Sequence, residues 1–190
     1  MTPRWRASVV GVVAAMATLA AAEVAALFAG PASSPLVGVA GFVIDIVPPW
    51  VKDAAIALFG TGDKVALLVA LGLLVLVLAV VIGVLEQRRP PLGVVGLVLA
   101  AAVALVAVTT RAEATVLSAL PTLVGTAIGV LVLRIGMRRL RDAADTETVD
   151  AALSRRSFIG FASATAAAAL VTGLTARAVN AASSAVTAVR

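Results

Sequence analysis

Val65 to Leu85 reads VALLVALGLLVLVLAVVIGVL, an apolar run without a single charged residue. At 1.5 Å per residue such a run makes a helix about 30 Å long, the thickness of a bilayer's hydrocarbon core. No water reaches that layer to satisfy the backbone, so a segment of this length has to be helical there. The rest of the chain has the same character: 62% of its 190 residues are hydrophobic and 13% charged, with mean hydropathy +1.12. These values predict an all-α integral membrane protein.

The net charge of +5 therefore reflects arginines that orient helices, not a nucleic-acid surface. Cysteine, histidine and tyrosine are all absent. A disulfide, a zinc site, a His-ligated haem, a thiolate nucleophile and a histidine base are thereby excluded for this chain.

Downstream of the central run, Glu86-Gln87-Arg88-Arg89-Pro90-Pro91 is a polar stop the length of a hairpin loop. Leu92 to Thr110 is a third span, followed by a turn at Arg111-Ala112-Glu113. Ala114 to Leu133 is a fourth, with Pro121 near its start. Gly125 and Gly129 give it a small-residue face for close helix approach, within this bundle or with a second copy, and packing within the bundle is preferred.

Upstream, Phe59-Gly60-Thr61-Gly62-Asp63-Lys64 marks a helix boundary, because it lacks the Walker spacing of a phosphate loop. From Trp50 to Leu58 the chain is loosely amphipathic, and Trp50 and Phe59 suit the headgroup level. Leu36 to Val47 is apolar but about half a bilayer long, and Pro48-Pro49 closes it, which predicts a re-entrant or interfacial segment. Gly30-Pro31-Ala32-Ser33-Ser34-Pro35 is a turn. Ala7 to Ala29, after the basic start Met1 to Arg6, is the first span. Its apolar part is too long for a cleaved signal peptide.

Glu23 lies six residues before the end of that span, about 9 Å along the helix axis. An acid at that depth relays protons, meets a quinone, or snorkels and pairs with Lys52 or Lys64. Glu23, Asp45 and Trp50 are the candidate intramembrane proton or quinone site.

The C-terminal third is different. Arg134 to Arg156 is the one sizeable polar stretch, with Arg138-Arg139-Leu140-Arg141 followed by Asp142, Asp145, Glu147 and Asp150. Without histidines or EF-hand spacing the acids read as a solvated linker, not a metal site. Beyond it, Ser154-Arg155-Arg156-Ser157-Phe158-Ile159 precedes an alanine-rich helix whose second half carries Leu170, Val171 and Leu174. Leu and Val each favour insertion by roughly 0.3–0.6 kcal/mol, so this helix is the weakest inserter of the chain. A paired arginine before a soft helix reads as a twin-arginine export motif carried by Ser154, Arg155, Arg156, Phe158 and Ile159. Gly160 departs from that pattern, which often has Lys there, and Ala176-Arg177-Ala178 is a weak peptidase site.

The expected organisation is a four-helix bundle over 1–135 that includes the segment 36–60. A cytoplasmic linker over 136–156, a fifth, signal-anchor-like helix over 157–177 and an external stub over 178–190 follow. Arg4, Arg6, Arg88, Arg89, Arg134, Arg138, Arg139, Arg141, Arg155 and Arg156 fall on one side of that topology. Lys52, Lys64, Arg111, Arg177 and Arg190 fall on the other. The positive-inside rule then predicts a cytoplasmic N-terminus and an external C-terminus in the inner membrane.

The order of these motifs, from Gly30-Pro31 through Pro48-Pro49-Trp50-Val51-Lys52, Leu58 to Lys64 and Arg89-Pro90-Pro91-Leu92-Gly93 to Arg155-Arg156-Ser157-Phe158, resembles the N-terminal membrane region of actinobacterial molybdopterin-dependent oxidoreductases of the sulfite-oxidase type. The resemblance implies a molybdenum pterin domain after the last helix, exported already folded, with a cysteine thiolate on the metal. That cofactor is expected in a missing or separate catalytic domain, with no catalytic, cofactor-binding or metal residue in this chain. The implied partners are the bilayer, the twin-arginine export machinery, the catalytic domain, and a quinone or electron-transfer protein. The rival expectation is a free-standing transporter or assembly factor. An inverted repeat with polar midplane residues would favour a transporter, and none is visible.

Overall fold

The computed structural model describes residues 4–30, 33–48, 50–51, 63–111 and 114–145, with isolated positions 160, 167, 171, 173, 175 and 178. No strand occurs among the described residues. The helices are α1 (Arg4–Ala29), α2 (Pro35–Ile46), α3 (Asp63–Arg88), α4 (Leu92–Thr109) and α5 (Leu120–Asp145), with a short 3-10 turn at Val116–Ala119 before α5. Four of them, α1, α3, α4 and α5, are long and apolar enough to cross a membrane.

The bundle is built around α1. Ala7, Ala14, Ala17, Ala20, Ala22 and Ala26 are all buried on it, as is Gly11. A helix with so thin a surface lets its neighbours approach backbone to backbone, which is how helices associate when lipid is as apolar as the side chains. Gly11 faces Gly83 of α3 so closely that a Cβ on Gly11 would stand 2.8 Å from the Gly83 nitrogen. A Cβ on Gly125 of α5 would stand 2.5 Å from the Thr18 carbonyl oxygen and 2.8 Å from Ala22 Cβ. One on Gly136 would stand 2.6 Å from Val10 Cγ1. The Gly125/Gly129 face thus packs within the bundle, on α1. Because higher numbers on α3 and α5 meet lower numbers on α1, both run antiparallel to it.

The large residues point the other way. Leu73, Leu74, Val77 and Val81 on α3 and Val95, Leu99, Val103 and Val106 on α4 are exposed. Around a soluble domain so large an apolar surface would drive association; on helices of this length it is a surface for lipid. The fold defines a helical membrane protein.

This register sorts the ends of the helices. One end of the bundle collects the start of α1, the end of α3, the start of α4 and the end of α5, and with them Arg4, Arg6, Arg88, Arg89, Arg138, Arg139 and Arg141. At the other end lie the end of α1, α2, the end of α4 with Arg111, and the 3-10 turn.

The fourth long helix differs from the sequence expectation at both ends. It starts at Leu120, not Ala114, because Pro121 brings a preset φ and no N–H to the first turn, where neither is a loss. The preceding turn closes on itself, with the Thr115 N–H donating to Ser118 Oγ at 3.0 Å. It also continues past Leu133 to Asp145. Leu133, Met137 and Leu140, spaced i, i+4 and i+7, are 0%, 2% and 2% exposed, so an apolar stripe holds the arginine-rich turns in the helix.

α2 is 12 residues, about 18 Å, too short to cross a bilayer. It packs on the end of α4, where a Cβ on Gly38 would stand 2.5 Å from Val108 Cγ2. The Arg111 guanidinium lies in the notch left by Gly41 and donates from Nη2 to the Val37 carbonyl at 3.5 Å. In the C-terminal region the described positions are helical, and Gly173 lies against Ala20 of α1. The rest of the expected fifth helix, the export motif at 154–159, the linker beyond 145, Lys52 and residues 60–62 lie outside the described residues.

Candidate functional site

α1 ends at Ala29, and Gly30 follows with φ 103°, a left-handed conformation natural to glycine after a helix. The Gly30 N–H still donates to the Ala26 carbonyl at 2.9 Å, and the Ser33 N–H returns to the Gly30 carbonyl at 3.0 Å. Ser33 Oγ donates to the same carbonyl at 2.5 Å. This reversal brings Ser34 back alongside the last turns of α1.

Ser34 then does two things. Its Oγ accepts the Val37 N–H at 3.4 Å and so caps α2, which continues with Pro35 in the first turn. The same Oγ donates to Glu23 Oε1 at 2.5 Å in a buried contact. Glu23 is 3% exposed and Ser34 2%. A buried carboxylate with few donors is costly, and such residues within membrane helices are a default place to look for function. Thr122, one turn before Gly125 on antiparallel α5, stands at the level of Ala22 to Ala26. It is 5% exposed, and its Oγ1 has no hydrogen-bond partner among the described residues.

The three residues expected to form a site are not gathered at one point. Glu23 is sealed under the start of α2. Asp45, eleven residues after Ser34, is about 16 Å further along the chain's helical path and exposed, and Trp50 is 72% exposed. Lys52 and the side chain of Lys64, the cations weighed as partners of Glu23, lie outside the described residues. Among the described side chains Glu23 is met by a hydroxyl, which sequence reasoning missed. The signal was Ser34 before Pro35, an N-cap followed by an N1 proline, placed one tight glycine turn after the acid.

A second buried acid was also missed. Glu86, 5% exposed, accepts the Val94 N–H at 3.0 Å on Oε2, so a carboxylate from α3 caps the N-terminus of α4. The sequence signal is Pro91, which occupies the N-cap position of α4 and has no side chain able to cap.

Glu23 can accept hydrogen bonds and carry a proton, and Ser34 can orient it. Among the described residues no three His, Cys, Asp or Glu side chains are placed to hold a metal ion. Comparison with protein-family models, curated proteins and solved structures finds no match.

Proposed function

We propose that the chain is the membrane anchor of a sulfite-oxidase-like molybdopterin oxidoreductase whose catalytic domain is exported folded through the twin-arginine machinery. The observation that supports this reading is the sorting of arginines. Arg4, Arg6, Arg88, Arg89, Arg138, Arg139 and Arg141 share one end of the bundle, and α5 ends there at Asp145, ten residues before Arg155 in the sequence. By the positive-inside rule that end is cytoplasmic, where an export motif has to be read. The soft helix after it then carries its cargo to the outer face of the cytoplasmic membrane.

The chain's own residues do not fit the molybdenum pterin: it has no cysteine to supply a thiolate. In this reading the centre belongs to a separate domain, and the bundle contributes position, not chemistry. A folded reporter fused after residue 190 should appear outside the cytoplasm and remain inside when Arg155 and Arg156 are both changed to Lys. Equal export of the two forms would end the anchor reading.

The buried Glu23–Ser34 pair favours a second reading, a free-standing membrane protein that moves protons or meets a quinone. Glu23→Ala would then abolish an activity of the bundle alone, with no fused domain required.

A further inference from the structure

α5 carries a second stripe beside its apolar one. Arg134, Arg138 and Arg141 repeat the i, i+4, i+7 spacing of Leu133, Met137 and Leu140, one residue on and so about 100° round the helix. The three arginines are exposed where the three apolar residues are buried. Little stands by to neutralise them. Residues 114–141 contain no acid, and the two that follow, Asp142 and Asp145, share that end of α5 with Arg138, Arg139 and Arg141. α4, which packs beside α5, has no charged residue.

Toward the middle of the bundle the same side of α5 is apolar. Leu131 and Val124 lie seven and fourteen residues before Arg138, and Leu120 one turn further, and all three are exposed. Gly136 is level with Val10 and Gly83 with Ala7, which sets Arg134 about 15 Å deeper in the bundle than Arg88. An exposed charge at that depth stands among lipid, where it is costly unless an opposite charge meets it.

We propose that this face of α5 binds one anionic phospholipid of the surrounding leaflet. Arg134, Arg138 and Arg141 hold its phosphodiester, and an acyl chain lies along Leu131, Val124 and Leu120. The order of chemistry along the helix selects this ligand, since a leaflet lipid presents phosphate at the bundle's end and hydrocarbon below it. Free phosphate would meet the arginines and leave the leucines. A zwitterionic lipid would cover the leucines and bring a cation of its own to the arginines. Guanidinium groups suit the task because their planar fork takes two phosphate oxygens at once. Arginines four apart on a helix repel, and a shared anion turns that repulsion into attraction. The site does not rest on the anchor reading, since lipid surrounds the bundle whatever the bundle serves.

The test uses the full chain purified in an uncharged detergent and titrated with phosphatidylglycerol, phosphatidylcholine or inorganic phosphate, with bound lipid counted by native mass spectrometry. One phosphatidylglycerol should bind at a concentration at least about tenfold below that needed for phosphatidylcholine, and inorganic phosphate should not displace it. Two triple variants lose the same charge: Arg134→Gln/Arg138→Gln/Arg141→Gln, and Arg4→Gln/Arg88→Gln/Arg89→Gln. Only the first should lose the preference, by about tenfold or more. Equal loss in both would show a diffuse field and no site, and displacement by phosphate or equal binding of phosphatidylcholine would also overturn the proposal. Should the first variant fail to accumulate, the unaltered chain decides. Its thermal midpoint should rise with phosphatidylglycerol and not with the same amount of phosphatidylcholine or phosphate; any other pattern overturns the proposal. Export of the reporter is a separate readout, so the two ideas fail separately.

Discussion

Changing Gly83 and Gly72 to alanine, one at a time, tests whether α1 and α3 are held by backbone contact. Both glycines sit on α3, and both gain the same helix propensity, about 1 kcal/mol, on acquiring a methyl group. Their surroundings differ. Among the described residues outside its own helix turn, a Cβ on Gly72 meets nothing within 4 Å, whereas one on Gly83 would stand 3.0 Å from both Gly11 Cα and the Ala7 carbonyl carbon, with the Ala7 oxygen closer still. Those are backbone atoms, so the helices themselves have to part. Overpacking of this kind costs about 1–3 kcal/mol. With the propensity gain common to both, Gly83→Ala should be less stable than Gly72→Ala by about 1–3 kcal/mol, a factor of roughly 5 to 150 in the unfolded fraction. Reversible unfolding in detergent micelles, followed by helix content or by a pair of dyes on α1 and α3, reads that difference. Equal stability, or Gly72→Ala as the weaker variant, would show that the Gly11–Gly83 crossing is not what holds α1 to α3.

Ser34→Ala removes both the α2 cap and the donor to Glu23; a destabilisation of about 1–3 kcal/mol is expected in the same unfolding assay, with the larger share recovered by Glu23→Gln in the same chain. Glu86→Ala should loosen the start of α4 by about 0.5–2 kcal/mol, visible as faster amide exchange at Val94. Leu140→Ala should cost about 2–5 kcal/mol, as expected of a residue 2% exposed and not of one in a solvated linker.

The long helices were legible because length and apolarity are the same signal in a membrane chain. Val65 to Leu85 and Leu92 to Thr110 match α3 and α4 to within a few residues, and Ala7 to Ala29 matches α1. α5 was not, since its arginines read as the start of solvent while the spacing of Leu133, Met137 and Leu140 continued the core. The small face at Gly125 and Gly129 was visible as a pair, and it does pack on α1. Gly11 and Gly83 were not, because two isolated glycines announce nothing until the helices that bear them cross.

Glu23 could be singled out as a lone acid in an apolar run. Ser34 before Pro35 was legible as a helix cap, but that its hydroxyl also meets Glu23 was not, since the left-handed turn at Gly30 is what brings Ser34 back. The sequence instead offered lysines, whose charge suggests a partner but whose position cannot be read.

The alanine-lined α1 is made before the helices that cover it, and its most extensive neighbour, α5, follows more than ninety residues later. Until then α1 has little bulk of its own to hold it against lipid, and α3, arriving earlier, supplies only the Gly11–Gly83 side. Burial of α1 is therefore completed only by a later part of the chain: translation that halts before Leu133 leaves α1 in the bilayer without the full length of its main neighbour.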